Sequence, residues 1–105
     1  MLGEHMLWQP DFIANVQLHP TASGGRSCPT PAEWFGCPLN YEGEFFDARF
    51  DLTALGSIAP GNNAKVPGKF LSPELIKPRL KVGSKFTLWE GKTIGEGEIL
   101  EIVTP

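Results

Sequence analysis

The stretch that decides the fold lies near the end of the chain and reads Gly83-Ser-Lys-Phe-Thr-Leu-Trp-Glu-Gly-Lys-Thr-Ile-Gly-Glu-Gly-Glu-Ile-Leu-Glu-Ile102. Lys85–Glu90 is rich in β-forming residues, Gly91-Lys92 can make a tight turn, and Thr93–Val103 returns as a long strand. The stretch therefore predicts a β-hairpin.

The returning arm of this hairpin carries two different patterns. Ile94, Leu100 and Ile102 share one parity, which predicts one apolar face, whereas Gly95 and Gly97 interrupt the other parity. Glycines inside a strand often mark a bulge or a tight bend of a barrel. We therefore expect the arm to curve.

Two upstream segments also alternate between apolar and polar residues. Phe12–Leu18 places Phe12, Ala14, Val16 and Leu18 on one side, which predicts a half-buried strand. Tyr41–Leu52 predicts a second strand region, with the face that bears Phe46 and Phe50 buried.

The remaining segments are rich in Gly and Pro and predict connections. His19–Pro31 and Ile58–Gly68 are expected to be loops, and Pro31–Phe35 to form one short helical turn. Lys69–Leu80 contains two prolines, which argue against a long helix and favour short extended pieces or an edge strand.

Composition sets the class and the domain count. The chain has 105 residues, of which 41% are hydrophobic, 12 are Gly and 10 are Pro. Short strands joined by frequent turns explain this better than disorder does. The sequence thus predicts an N-terminal tail over residues 1–8 and one all-β domain over 9–105, a small closed antiparallel β-barrel.

Several functions are excluded by what the sequence lacks. No phosphate-binding G-x-x-x-x-G-K-[ST] motif is present, so neither a nucleotide nor another cofactor is expected. No run of about 18 apolar residues suggests a transmembrane helix, and the first residues do not resemble a secretion signal. We expect no membrane partner and a cytoplasmic location.

Cysteine and carboxylate chemistry leaves alternatives open. Cys28 and Cys37 are expected to be free thiols, while a disulfide or a zinc site would need further support. A nucleophile paired with His19 is conceivable, and Glu96 and Glu98 share a strand face. Because nothing else supports these pairings, we predict no catalytic or metal-binding residue.

Basic and aromatic residues are the candidate contacts of a binding protein. The basic run Lys77, Arg79 and Lys81 is either a solvated face or a patch that meets RNA phosphates, although the net charge of −3 opposes strong nonspecific binding. Trp34 and Phe35 are predicted to be an exposed aromatic pair, which would suggest a protein interface.

The closing hairpin resembles the last hairpin of the C-terminal β-barrel of elongation factor Tu, which typically reads G-x-x-F-x-[LI]-x-E-G-x-[TR]-x-[IV]-G-x-G-x-[IV]. The matching positions are Phe86, Leu88, Glu90, Gly91 and Thr93, and Ile94, Gly95, Gly97 and Ile99 match the rest of the phrase with one residue fewer after Thr93. Gly24-Gly25-Arg26 followed by Pro29 resembles the G-G-R-x-x-P segment of that barrel, and Pro60-Gly61-Asn62-Asn63 resembles its P-G-D-N turn. The resemblance covers about residues 8–103.

The resemblance implies a place for tRNA contact. In the family the Gly-Gly-Arg loop lies where the barrel meets the T-stem of aminoacyl-tRNA, so Gly24 and Gly25 would allow close approach and Arg26 would contact a phosphate. The alternative is that the glycines form only a turn and Arg26 pairs with a neighbouring carboxylate.

Taken together, these patterns predict a non-enzymatic binding module. The expected partner is a component of translation, either a translation factor or tRNA. A protein that mimics the elongation factor barrel, as a decoy, immunity protein or regulator, is the alternative. A small enzyme that uses Cys and His is the third class.

Overall fold

A computed structural model describes residues 9–104, and the predicted tail over residues 1–8 lies outside them. Six strands form a closed barrel in the order β1-β4-β3-β2-β5-β6, and every neighbouring pair is antiparallel. The strands are β1 (Phe12–Leu18), β2 (Trp34–Tyr41), β3 (Glu44–Asp51), β4 (Asn63–Phe70), β5 (Lys85–Trp89) and β6 (Thr93–Ile102). The predicted all-β barrel class is confirmed.

Alternation along the strands builds the core. In β1 the four residues predicted to face inward are all buried, and the three between them are half-buried. The ring of Phe12 lies at the centre of the core, with ring centroids 5.9 Å from Phe50, 4.9 Å from Phe70 and 6.3 Å from Phe86. Four strands thus meet at one aromatic cluster.

The closing hairpin is confirmed, but its inward parity differs from the prediction. Ile94 is buried, whereas Leu100 is 37% exposed, and the inward residues after Ile94 are Gly95, Gly97 and Ile99. The register of pairing shifts near both ends of β6. Successive residues of β1 pair with Glu101 and then Ile99, and successive residues of β5 pair with Gly95 and then Thr93. Each shift leaves one extra residue in β6, as in a β-bulge, and this reverses the parity.

Two strands occupy segments that the sequence predicted as turns and loops. β2 begins at Trp34, inside the short helical turn expected at Pro31–Phe35, and β4 begins inside the loop expected at Ile58–Gly68. The predicted second strand region divides at a hairpin turn, where Glu42 and Gly43 have φ of 52° and 86°. Both missed strands contain Gly and Pro, which weaken the strand pattern although the barrel pairs them.

The segment Lys69–Leu80 begins as the end of β4, at Lys69 and Phe70, and the edge strand that was one of the two predictions for it is not formed. After Phe70 the chain forms two short 3₁₀ turns, Pro73–Leu75 and Lys77–Arg79, each with a proline near its start. Proline suits the first positions of a helical turn because its missing N–H would have no partner there. Within residues 9–104, no helix has the length and apolar character to cross a membrane.

The aromatic cluster predicts that replacing two different phenylalanines will change the free energy of unfolding by very different amounts. Phe12 is 0% exposed and Phe45 is 55% exposed. We expect Phe12→Ala to lower the free energy of unfolding by about 3–5 kcal/mol, because it leaves a cavity in the core. The matched change Phe45→Ala should cost only about 0.5–1.5 kcal/mol, the value of one aromatic pair. Urea denaturation followed by tryptophan fluorescence measures both, and equal losses would contradict this core.

Candidate functional site

The Gly24-Gly25-Arg26 segment is a tight loop that requires its glycines. Gly24 has φ of 91°, in the left-handed region. The N–H of Gly25 donates to the carbonyl of Pro20 at 3.0 Å. A Cβ atom on Gly25 would clash with the backbone carbonyl of His19. The predicted turn is therefore present, and its shape fixes where Arg26 leaves the loop.

Arg26 fastens this loop to the closing hairpin. Its Nη1 donates to both carboxylate oxygens of Glu90, at 2.6 and 2.7 Å. Its Nε donates to the carbonyl of Cys28 at 3.1 Å, and Nη2 donates to that of Pro29 at 3.3 Å. The guanidinium also lies 5.4 Å from the ring centroid of Phe35. All three guanidinium nitrogens thus have protein partners.

The neighbouring carboxylate that the sequence left as an alternative is present, and it is Glu90. Burial acts to lower the pKa of Arg26, but the hydrogen bond and charge of Glu90 outweigh burial and raise it. In order to contact Arg26, a nucleic acid phosphate would have to displace Glu90 or share the guanidinium with it. The contact with tRNA that the resemblance implies stays a prediction.

Two residues of the basic run also form ion pairs. The Nζ of Lys77 lies 3.3 Å from Asp11 and donates to the carbonyl of Val103 at 2.8 Å. Arg79 pairs with Glu42 at 3.0 Å and Glu44 at 2.9 Å. Lys81 is exposed and forms no ion pair with the described residues. The run is therefore not a row of uncompensated cations.

The predicted exposed aromatic pair is only half correct. Trp34 is 38% exposed, and Arg49 lies 5.7 Å from its ring centroid. Phe35 is 3% exposed and belongs to the core, so the prediction that it forms part of a surface is wrong. The two residues are neighbours in β2, and neighbours in a strand point to opposite faces.

The cysteines are free thiols in different surroundings. Cys28 is exposed and Cys37 is buried. Burial raises the pKa of Cys37 to about 12, although its thiol donates to the carbonyl of Trp89 at 3.5 Å. A thiolate nucleophile at Cys37 is therefore disfavoured at neutral pH. Residues 9–104 contain no group of three His, Cys, Asp or Glu side chains arranged to hold a metal ion.

An open polar groove of about 510 Å³ crosses the outer face of the barrel. Its lining includes the carboxylates of Glu42, Glu96 and Glu98 and the amides of Asn15, Gln17 and Asn40. Two of the amides already have protein partners: Gln17 donates to the carbonyl of Gly61 at 3.2 Å, and Asn15 accepts from Asn63 at 3.3 Å. Glu96 and Glu98 are exposed and line this groove, so they belong to a solvated face of the barrel.

A second outer surface, which the sequence reading missed, is apolar. Phe45 and Trp89 are 55% and 40% exposed, and their ring centroids lie 5.4 Å apart. Leu71 and Leu75 are 76% and 60% exposed and line one cavity of about 150 Å³ together with Phe45. We call Trp89, Phe45, Leu71 and Leu75 the apolar strip. The sequence contained one signal for this surface. Phe45 is the neighbour of Phe46, which was predicted to face inward, and neighbours in a strand point to opposite faces.

The fold and these surfaces define a small closed β-barrel with an internally paired basic loop and an exposed apolar strip. A search of protein-family models finds none that matches the chain.

The Arg26–Glu90 contact predicts a measurable coupling. Arg26→Ala should lower the free energy of unfolding by about 1–3 kcal/mol, because Glu90 and two carbonyls lose a charged donor. A double-mutant cycle with Glu90→Gln should give a coupling energy of about 0.5–3 kcal/mol. The exposed cation Lys81 supplies the control, since Lys81→Ala should stay within about 0.5 kcal/mol of wild type. Urea unfolding measures all four variants, and a coupling of zero would remove the fastening role.

The two cysteines should differ in reactivity towards a thiol reagent. Cys28 is exposed, whereas Cys37 is buried with its pKa raised to about 12. At pH 8, we expect one thiol per chain to react rapidly with a disulfide reagent and the second to react only after unfolding. Cys28→Ser should abolish the rapid phase. Rapid reaction of both thiols in the folded protein would contradict the buried position of Cys37.

Proposed function

We propose that this chain is a non-enzymatic protein-binding module that contacts its partner through the apolar strip. The observation that carries the proposal is the exposure of four large apolar side chains that adjoin one another on β3, on β5 and on the connection after β4. Exposed clusters rich in aromatic residues are typical of protein interfaces. The core is built from other residues, so the strip is not needed to close the barrel.

Charge pairing favours a protein over RNA as the partner. Arg26, Lys77 and Arg79 each lie within hydrogen-bonding distance of a carboxylate. Affinity for nucleic acid comes largely from cations that neutralise phosphates and release counterions. Cations already paired with carboxylates contribute less of this, and the chain has a net charge of −3.

A translation factor is the partner that we propose. The support is the ordered resemblance of the Gly24-Gly25-Arg26, Pro60-Gly61 and closing-hairpin segments to the elongation factor Tu barrel. A module similar to that barrel would bind the other domains of the factor, or a regulator that recognises the barrel. In the second case it would act as a decoy.

The test uses elongation factor Tu from which its own C-terminal barrel has been deleted. We expect calorimetry to detect binding and Phe45→Glu to weaken it by at least about tenfold, or about 1.4 kcal/mol. Leu55→Glu is the matched control, because Leu55 is 54% exposed and lies outside the strip, in the connection after β3.

Binding of transfer RNA is the outcome that would contradict a protein-binding function. If filter binding retains tRNA and Arg26→Ala weakens it while Phe45→Glu does not, the chain is an RNA-binding module. If the truncated factor does not bind at all, the translation-factor partner is wrong.

A further inference from the structure

Strand β3 is paired along only part of one side. β4 pairs with it at Ala48, Arg49 and Phe50. Beyond these residues, the N–H of Leu71 donates to the carbonyl of Asp47 at 3.0 Å. The chain then turns away into the 3₁₀ turn at Pro73–Leu75. Within residues 9–104, Glu44–Phe46 pairs with β2 on one side and with no strand on the other.

The orientation of the backbone makes this edge usable. Backbone polar groups of alternate residues in a strand point to the same side. The carbonyl of Asp47 accepts from the N–H of Leu71 on the side of β3 that faces away from β2. Phe45, two residues earlier, therefore directs its own N–H and carbonyl to that side. An unpaired strand edge is a template for a further strand.

A groove with apolar walls lies along the open edge. Phe45, Leu71 and Leu75 line a cavity of about 150 Å³, with Phe46, Asp47 and Ser72 completing it. A neighbouring cavity of about 380 Å³ shares Asp47 and Leu71 and continues over Gly36 and Pro38, with Arg49 and Lys69 also in its lining. The two cavities therefore adjoin each other at Asp47 and Leu71.

The charges beside the open edge select the occupant. Asp47 and Glu74 are exposed and form no ion pair with the described residues, whereas Glu44 is paired with Arg79. Two cations, Arg49 and Lys69, line the neighbouring cavity but not the one beside Phe45; Arg49 lies over Trp34, and Lys69 donates to the carbonyl of Gln9 at 3.3 Å. A second copy of this chain would bring like charges together, which destabilises cross-strand pairs. A basic segment would not.

We propose that an extended segment of a partner protein, in which apolar and basic residues alternate, adds as a strand to β3 at residues 44–46. Its backbone bonds to Phe45, its apolar side chains contact Phe45, Leu71 and Leu75, and its Lys or Arg side chains face Asp47 and Glu74. This inference rests on the proposed protein-binding function and names the form in which the partner binds. Strand addition of this kind takes affinity from the main chain and specificity from alternate side chains.

The first experiment is a selection of random linear peptides displayed on phage, with immobilised wild-type protein as the target. We expect the enriched peptides to alternate apolar residues with Lys or Arg and to lack proline at their centre. Phe45→Glu and Leu71→Glu should weaken the selected peptide by at least about tenfold. Leu55→Glu should bind it as the wild type does.

The second experiment asks whether the selected peptide pairs as a strand. Two versions carry N-methyl groups on alternate backbone amides, one set on the even positions and the other on the odd positions. Because only one edge of a strand can face β3, one version should lose at least about tenfold in affinity and the other should bind normally. Amide hydrogen exchange at Phe45 should slow when the unmodified peptide binds.

The outcomes separate this inference from the function on which it rests. Peptides that bind the strip but tolerate both N-methyl sets, or that show proline-rich or helical spacing, overturn strand addition and leave protein binding intact. The absence of any enriched peptide that depends on Phe45 overturns both. Peptide binding at β3 without binding to the truncated elongation factor overturns only the translation-factor partner.

Discussion

The barrel depends on two phenylalanine rings that occupy the space over inward-facing glycines. A Cβ atom on Gly68 would clash with the ring of Phe12, and one on Gly97 would clash with the ring of Phe86. Gly68 lies opposite Phe12 across the β1–β4 pair, and Gly97 lies opposite Phe86 across the β5–β6 pair. A barrel of six strands has a narrow interior, so the absence of a side chain at Gly68 and Gly97 makes room for these two rings.

Polar contacts near both ends of β1 hold the closed barrel in register. Near its end, Arg26 connects the following loop to Glu90 at the end of β5. Near its start, Asp11 accepts from the N–H of Phe70 at 2.8 Å and pairs with Lys77, which also bonds to Val103. These contacts explain why residues that resembled a phosphate-binding set are paired internally: the loops and the ends of the chain need polar partners of their own.

The sequence predicted the strands whose side chains alternate and missed those whose pattern is interrupted. β1 and the β5–β6 hairpin follow from alternation and a tight turn, and both lie where they were expected. β2 contains Gly36 and Pro38, and β4 contains Pro67 and Gly68, so the local pattern indicated a helical turn at the start of β2 and a loop at β4. Pairing across the barrel overrides that weak local preference. The pairing of Arg26 with Glu90 spans 64 residues, and no local pattern in the sequence reports such a contact.

The apolar strip follows from the same segment that leaves β3 unpaired. Prolines at positions 73 and 78 turn the chain into 3₁₀ structure after Leu71, so β4 does not continue alongside Phe45. Leu75 thereby comes to line the same cavity as Phe45 and Leu71. A closed barrel normally has no edge to offer, because closure pairs every strand on both sides. Here the early end of the β3–β4 ladder produces both the free edge and the apolar residues beside it. Backbone groups and hydrophobic contacts are therefore available together beside Phe45.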